Sequence, residues 1–139
     1  MKKIAVLGGG QVGSSVAKIL TDDGNDITLV DSNASVLEAL QDDNDIKTIQ
    51  GNASSPSVLK QAEIEDCDIL IATTANDEAN LVSCHLAKNL FNVPNVIARL
   101  RNAEYHTKTS DFNLDLFSID SVISPSQLVT DFIKNIIEH

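Results

Sequence analysis

The chain has 139 residues, of which 42% are hydrophobic, and its formal net charge is −10. This length suits one domain with a single core, and the hydrophobic content is too high for a disordered chain. The 10 basic residues are scattered and aromatic residues make up only 4%, so we expect no nucleic-acid partner. No apolar run is long enough to cross a bilayer, and we therefore expect no direct membrane insertion.

The N-terminal segment has the most informative pattern. A strand over Lys3–Leu7 leads into Gly8–Gly13, which has the spacing G-x-G-x-x-G, and a helical pattern follows over Val12–Asp23. A second strand over Ile27–Asp31 then ends on a carboxylate. A glycine turn between a strand and a helix, with an acid at the end of the next strand, indicates dinucleotide binding. The alternative is a turn that only reverses the chain.

The residues of this unit have separate predicted tasks. Gly8 allows the tight turn, Gly10 lets a pyrophosphate approach the backbone, and Gly13 lets the helix pack closely on the sheet. Free N–H groups at the start of the helix favour the phosphate charge. Asp31 can accept hydrogen bonds from both ribose hydroxyls. Because it would repel a 2′-phosphate and no Arg or Lys follows closely, NAD or another adenine nucleotide is favoured over NADP.

Helical and strand patterns alternate through the rest of the chain. They predict, in order, a helix from Ser32 or Asn33 to Leu40, a strand Ile46–Ile49, a helix opening at Ser54–Pro56, a strand Cys67–Ala72, a helix Ala75–Leu90, a strand Asn95–Leu100, a short helix Ala103–Thr109, a strand Ser121–Ile123 and a final helix Ser126–Glu138. Such alternation predicts right-handed crossovers onto a parallel sheet. We therefore expect one α/β domain over residues 1–139, a doubly wound six-stranded Rossmann sheet of order 3-2-1-4-5-6.

A second polar cluster follows the fourth strand, at the sheet edge where the nucleotide is expected. Thr73 and Thr74 are predicted to face the nucleotide from the far side. Asp77 and Glu78 either compensate the helix dipole, with Thr74 or Asn76 as the cap, or contact a ligand or a second subunit.

Two further strand ends contribute polar groups. Arg99 and Arg101 lie two residues apart and so share a face, where they can pair with phosphates or with the nearby carboxylates. Asn52, after the third strand, lies where it can bond the edge of an adenine. Cys67 and Cys84 have no metal-like spacing, and we expect them to be small core residues.

Taken together, these motifs resemble the TrkA-N domain, also called the RCK or KTN domain, of bacterial Trk/Ktr potassium-uptake regulatory subunits. The resemblance covers essentially the whole chain and rests on the glycine motif, Val30-Asp31, Gly51-Asn52, the run Ala72–Asn80, Ala98–Arg101 and Asp120–Pro125. It implies a cytoplasmic ligand-sensing subunit that binds NAD(H), or ATP/ADP, and assembles through homodimers or a higher ring. It also implies docking on a membrane potassium transporter subunit, at the inner face of the cell membrane.

The chain departs from that pattern at two positions. Asn52 stands where many members have Asp, so an amide replaces a charge. Gln11 stands where some Ktr-type members have an Arg that can meet a terminal phosphate, which favours NAD(H) over a strict ATP sensor. The C-terminal lobe of the family is missing, so we expect a fragment of a longer protein.

We therefore predict a cofactor site without catalytic residues and without a metal. Its residues are Gly8, Gly10, Gln11, Val12, Gly13, Asp31, Ser32, Asn52, Ala53, Thr73, Thr74, Asn76, Glu78 and Arg99. The alternatives are the cofactor half of an NAD-dependent dehydrogenase and a glutathione-gated potassium-efflux regulatory domain. A dehydrogenase needs an acid/base residue by the nicotinamide, and His85, His106 and His139 fall outside the expected cleft. The acidic run after the fourth strand and the Ala98-Arg99 pattern favour the uptake system.

The predicted final helix carries a wide apolar face. The face consists of Leu128, Val129, Phe132, Ile133, Ile136 and Ile137, at spacings of three and four residues. One edge of a small sheet cannot cover all of it, so we expect a homodimer with Phe132 and Ile136 near the interface.

Overall fold

The computed structural model describes residues 1–41, 45–106 and 113–123. The predicted final helix Ser126–Glu138, with the apolar face assigned to a dimer, lies outside the described residues. So does the predicted end of the short helix at Thr109.

The described chain forms one six-stranded sheet with helices. The strands are β1 (Lys3–Leu7), β2 (Asp26–Asp31), β3 (Ile46–Gln50), β4 (Ile69–Ala72), β5 (Asn95–Arg99) and β6 (Ser121–Ile123), and the helices are α1 (Gln11–Asp22), α2 (Ala34–Gln41), α3 (Pro56–Gln61) and α4 (Asp77–Asn89). The strand order is β3-β2-β1-β4-β5-β6, and every neighbouring pair is parallel. The predicted doubly wound Rossmann sheet is confirmed. Within the described ranges, no helix is long and apolar enough to span a membrane.

The central strands are buried on both faces, which explains their continuous apolar sequences. Ile4 and Val6 of β1 belong to one core layer, together with Val16 of α1. Ala5 and Leu7 belong to the opposite layer, together with Leu81 and Cys84 of α4. Because alternate residues of a strand point to opposite faces, one short strand supports both layers.

Both cysteines are free and buried, as predicted. Burial raises the pKa of Cys67 to about 11, although Lys3 acts in the opposite direction. Burial also raises the pKa of Cys84, with a smaller contribution from Asp120. Both thiols are therefore protonated at neutral pH and act as small core groups. Within the described ranges, no group of His, Cys, Asp or Glu is arranged to hold a metal ion.

Both β4 and α4 begin two residues later in the structure than the sequence pattern predicts. β4 begins at Ile69 rather than Cys67. Asp68, just before it, donates its N–H to the carbonyl of Lys3 at 2.8 Å and accepts from the N–H of Lys3 with its carboxylate at 2.8 Å. α4 begins at Asp77 rather than Ala75 because Asn76 is its N-cap and accepts from the N–H of Ala79 at 2.8 Å.

Three short 3₁₀ turns complete the described chain. They span Ile64–Asp66, Ala103–His106 and Leu114–Phe117. The first and third were not predicted, since three or four residues are too few to show a periodicity.

The fold creates a crevice at one edge of the sheet. β1 and β4 are neighbours, yet their chains leave the sheet toward helices on opposite faces. The glycine turn follows β1 and the Thr73–Asn76 turn follows β4, both at the carboxyl ends. This is the topological switch point, where open parallel sheets bind ligands.

Candidate functional site

The glycine turn has the geometry that its spacing predicts. Gly8 has φ +98°, a conformation that side chains rarely allow, and its N–H donates to the carbonyl of Val30 at 2.8 Å. A Cβ on Gly13 would lie 1.6 Å from the carbonyl oxygen of Gly8. Gly13 therefore lets α1 begin directly against the turn.

Gly10 places no side chain between the glycine turn and the crevice. It is the N-cap of α1, and a Cβ added there would meet no atom within 4 Å. The first N–H groups of a helix have no partner inside the helix. The start of α1 thus offers donors and a positive dipole end to an anion, with no side chain in between.

A cleft of about 640 Å³ opens over this turn, a volume ordinary for a small-molecule site. It is lined by most of the predicted residues: Gly8, Gly10, Gln11, Val12, Asp31, Ser32, Asn52, Ala53, Thr73, Thr74, Asn76 and Arg99. Gly13 and Glu78 are not among the lining residues. Gly13 is buried beneath the turn, and Glu78 is exposed on the first turn of α4. A contact of Glu78 with a nucleotide stays a prediction.

Asp31 is held in a fixed orientation at the end of β2. One carboxylate oxygen accepts from the N–H of Gly9 at 2.6 Å, and the other accepts from the N–H of Asn33 at 2.8 Å. A carboxylate oxygen has a further lone pair, so each can still accept a hydroxyl. The arrangement suits a ribose diol, because the acceptor needs no reorganisation on binding.

Asn52 presents a donor rather than an acceptor. Its side-chain oxygen accepts from the N–H of Ser54 at 2.9 Å and from the Ser54 hydroxyl at 2.8 Å. The amide nitrogen is therefore the group left for a base. This matches an acceptor nitrogen on an adenine edge, whereas the Asp of many family members would match a donor.

The two threonines use their hydroxyl protons inside the protein. Thr73 is buried, and its hydroxyl donates to the carbonyl of Leu7 at 3.0 Å. The Thr74 hydroxyl donates to the side-chain oxygen of Asn80 at 2.6 Å. Both residues line the cleft, and both fix the turns that form its walls.

Arg99 and Arg101 stand on the cleft wall beside α4. Neither forms an ion pair with any other described residue. Burial and the neighbouring charge of Arg101 lower the pKa of Arg99, while Asp77 raises it, and the guanidinium stays charged at neutral pH. Asp77 instead accepts from the backbone N–H groups of Arg101 and Asn102 at 2.9 and 2.8 Å. Within the part of the chain that the structure describes, no acid occupies either guanidinium, and both can meet an anion.

Several further residues line the cleft that the sequence does not indicate as cofactor contacts. They are Val30, Asn33, Val36, Ala75 and Ala79. Arg101, for which the sequence leaves phosphates or carboxylates as partners, lines it too. Val36 supplies an apolar wall near Asp31, and a Cβ on Gly9 would lie 2.8 Å from its side chain. A signal for Val36 was present in the helical spacing of α2, but only the packed structure shows which face meets the cleft.

The sheet order, the glycine turn at the switch point and the acid that ends β2 define the class of Rossmann-type nucleotide-binding domains. Within that class, the family model of the TrkA-N domain matches residues 4–125. The chain belongs to the TrkA-N domain family.

The chain is similar to two Trk system potassium uptake proteins TrkA. It is 46% identical over 138 residues to the protein of Haemophilus influenzae, covering 99% of this chain and 30% of the relative. It is 47% identical over 137 residues to that of Halomonas elongata, again covering 99% and 30%. The chain thus spans less than a third of the length of these relatives.

Solved structures share the fold. The TrkA-N domain of the inner membrane protein YbaL from Escherichia coli superposes with a TM-score of 0.78 at 16% identity, covering 99% of this chain and 95% of that one. The GsuK protein bound to ADP has a TM-score of 0.72 at 25% identity, covering 99% of this chain and 34% of that one.

Proposed function

We propose that this domain is the nucleotide-sensing part of a potassium-uptake system. It binds NAD(H), with ATP or ADP as alternatives, and the bound nucleotide regulates a membrane potassium transporter subunit. The observation that carries the proposal is the cleft itself: Asp31 is held in place at one end, Gly10 puts no side chain into it, and at the other end stands Arg99, which forms no ion pair with another described residue. The names of the relatives support the potassium-uptake part, and the ADP complex of GsuK supports an adenine nucleotide.

A regulatory role agrees better with the described residues than dehydrogenase chemistry. His85 and His106 do not line the cleft, and the Nε2 atom of His106 lies 2.6 Å from the carbonyl oxygen of Leu100. Neither histidine is placed to exchange a proton with a substrate beside a bound nicotinamide. We infer a cytoplasmic domain held at the inner membrane face by its transporter partner.

Titration calorimetry with NADH, NAD, ADP, ATP and NADPH tests the nucleotide part. We expect NADH to bind most tightly and NADPH to bind at least about tenfold more weakly, since its 2′-phosphate meets the Asp31 carboxylate. If none of the first four nucleotides binds at millimolar concentration, the proposal is wrong.

Gly10→Ala is expected to weaken NADH binding by at least about tenfold while leaving the unfolding temperature unchanged. The new Cβ enters open space in the apo protein, and this is the space that a pyrophosphate would occupy. Calorimetry measures the affinity for NADH, and thermal unfolding of the same sample measures the unfolding temperature. Normal affinity in this variant would show that the turn is only structural.

We also propose a homodimer, through the predicted final helix. Light scattering should give about twice the 14.9 kDa of one chain. The double variant Phe132→Asp with Ile136→Asp should give the monomer mass. A monomeric parent chain at high micromolar concentration, or a dimer that persists in the variant, would refute this assignment.

A further inference from the structure

Side chains in the first turn of α4 form hydrogen bonds with the backbone of the segment that carries Arg99 and Arg101. Asp77 accepts from the N–H of Arg101 at 2.9 Å and from the N–H of Asn102 at 2.8 Å. The amide of Asn80 donates to the carbonyl of Arg99 at 2.7 Å. Two side chains of one helix thus hold both ends of the Arg99–Asn102 backbone.

Asn80 connects this segment to the opposite turn. Its side chain is fully buried, at 0% exposure. Its oxygen accepts from the N–H and the hydroxyl of Thr74, at 3.0 and 2.6 Å, and its nitrogen also donates to the carbonyl of Thr74 at 3.1 Å. Together with the bond to Arg99, every hydrogen-bonding position of the amide is used. Burying an amide is costly without such partners, so this side chain acts as a rigid bridge between Thr74 and Arg99.

Compensation of the helix dipole does not account for Asp77. An acid in the first turn favours the dipole without any fixed contact, and the exposed Glu78 meets that need. Both oxygens of Asp77 are instead committed to backbone donors of another segment. By charge alone, a carboxylate beside Arg99 opposes anion binding, so its place at the cleft is best explained by the geometry it imposes.

We propose that Asp77 and Asn80 are positioning residues for the nucleotide, which hold Arg99 and Arg101 where they meet its phosphates. The inference rests on the proposed nucleotide binding. Neither residue lines the cleft, so both act through the arginine segment rather than by touching the ligand.

Asp77→Asn separates positioning from charge. Removing a negative charge near the arginines would by itself tighten ADP binding. The amide, however, retains one acceptor oxygen for two N–H donors. The backbone at Arg101 and Asn102 is then held less firmly, and ADP binding should weaken about fivefold. Glu104→Gln is the matched control, because it removes the same charge from an exposed residue beyond Arg101 and should leave affinity unchanged. Asp77→Ala, which removes both acceptors, should lose at least as much and serves as the second variant.

A mutant cycle shows whether Asp77 acts through the arginines. In an Arg99→Gln, Arg101→Gln background, adding Asp77→Asn should change ADP affinity by less than about twofold. Calorimetry at low ionic strength gives these affinities, and thermal unfolding confirms that each variant is folded. Tighter binding in Asp77→Asn, or an undiminished loss without the arginines, would overturn the positioning role alone. An unmodified chain that binds no nucleotide would overturn the proposed function as well.

Discussion

Gly13→Ala is expected to lower the free energy of unfolding by about 3 kcal/mol or more, the upper range for forcing a group into a packed site. The new Cβ would lie 1.6 Å from the carbonyl oxygen of Gly8 and 2.9 Å from the Thr73 hydroxyl. A backbone oxygen cannot rotate away, so α1 must shift along the sheet. For a domain of this size, the loss corresponds to a fall of roughly 10 °C in the melting temperature.

Gly10→Ala is the matched control for this effect, since it adds the same methyl group to the same turn in open space. The two variants should separate cleanly by thermal or chemical unfolding, with only Gly13→Ala destabilised. Stability within about 1 kcal/mol of the parent chain for Gly13→Ala would show that the turn is looser than this close packing implies.

Asp31→Ala is expected to weaken NADH binding by at least tenfold, because a charged acceptor for the ribose contributes about 1.5–3 kcal/mol. The substitution also leaves the N–H groups of Gly9 and Asn33 without their acceptor, which loosens the turn beside the ligand. Calorimetry with NADH measures the loss, and thermal unfolding confirms that the variant is folded.

Asp31→Asn distinguishes the ribose contact from a general effect on the turn. The amide keeps the size of the side chain and removes the charge that repels a 2′-phosphate. The ratio of NADH to NADPH affinity should therefore fall. An unchanged NADH affinity in folded Asp31→Ala, or an unchanged ratio in Asp31→Asn, would rule out the ribose assignment.

The sequence predicts the glycine turn well because its signals are local, and it predicts the strand order because each strand and helix shows its own local pattern and their alternation allows few topologies. The motif, the strand before it and the acid that ends β2 lie close together in the chain and depend on few partners. Asp77 and Glu78 illustrate the limit. A sequence pattern treats them as one acidic pair, but neighbouring residues on a helix face different directions. Only the fold brings Arg101 and Asn102 to Asp77 and leaves Glu78 exposed.

Side-chain roles that depend on partners distant in sequence were also beyond prediction. Asn80 belongs to a motif that the sequence shows. Its bridge to Arg99, however, requires β4 and β5 to be neighbouring strands and α4 to pack close to the end of β5. Similarly, the oxygen of Asn52 accepts from Ser54, so the structure decides which end of the amide, the nitrogen, is left for a base. Such details arise from packing and not from residue type.

The most direct test is an NMR titration, in which NADH is added to the ¹⁵N-labelled domain and the amide chemical shifts of its residues are recorded. Binding in the proposed cleft predicts the largest changes in the Gly8–Gly13 turn, at Asp31 and Ser32, and at Thr74, with smaller changes at Arg99. The hollow between Pro56, Lys60 and Phe91, on another part of the surface, should be unaffected. Saturable changes centred on that hollow, or no changes at millimolar NADH, would contradict the account.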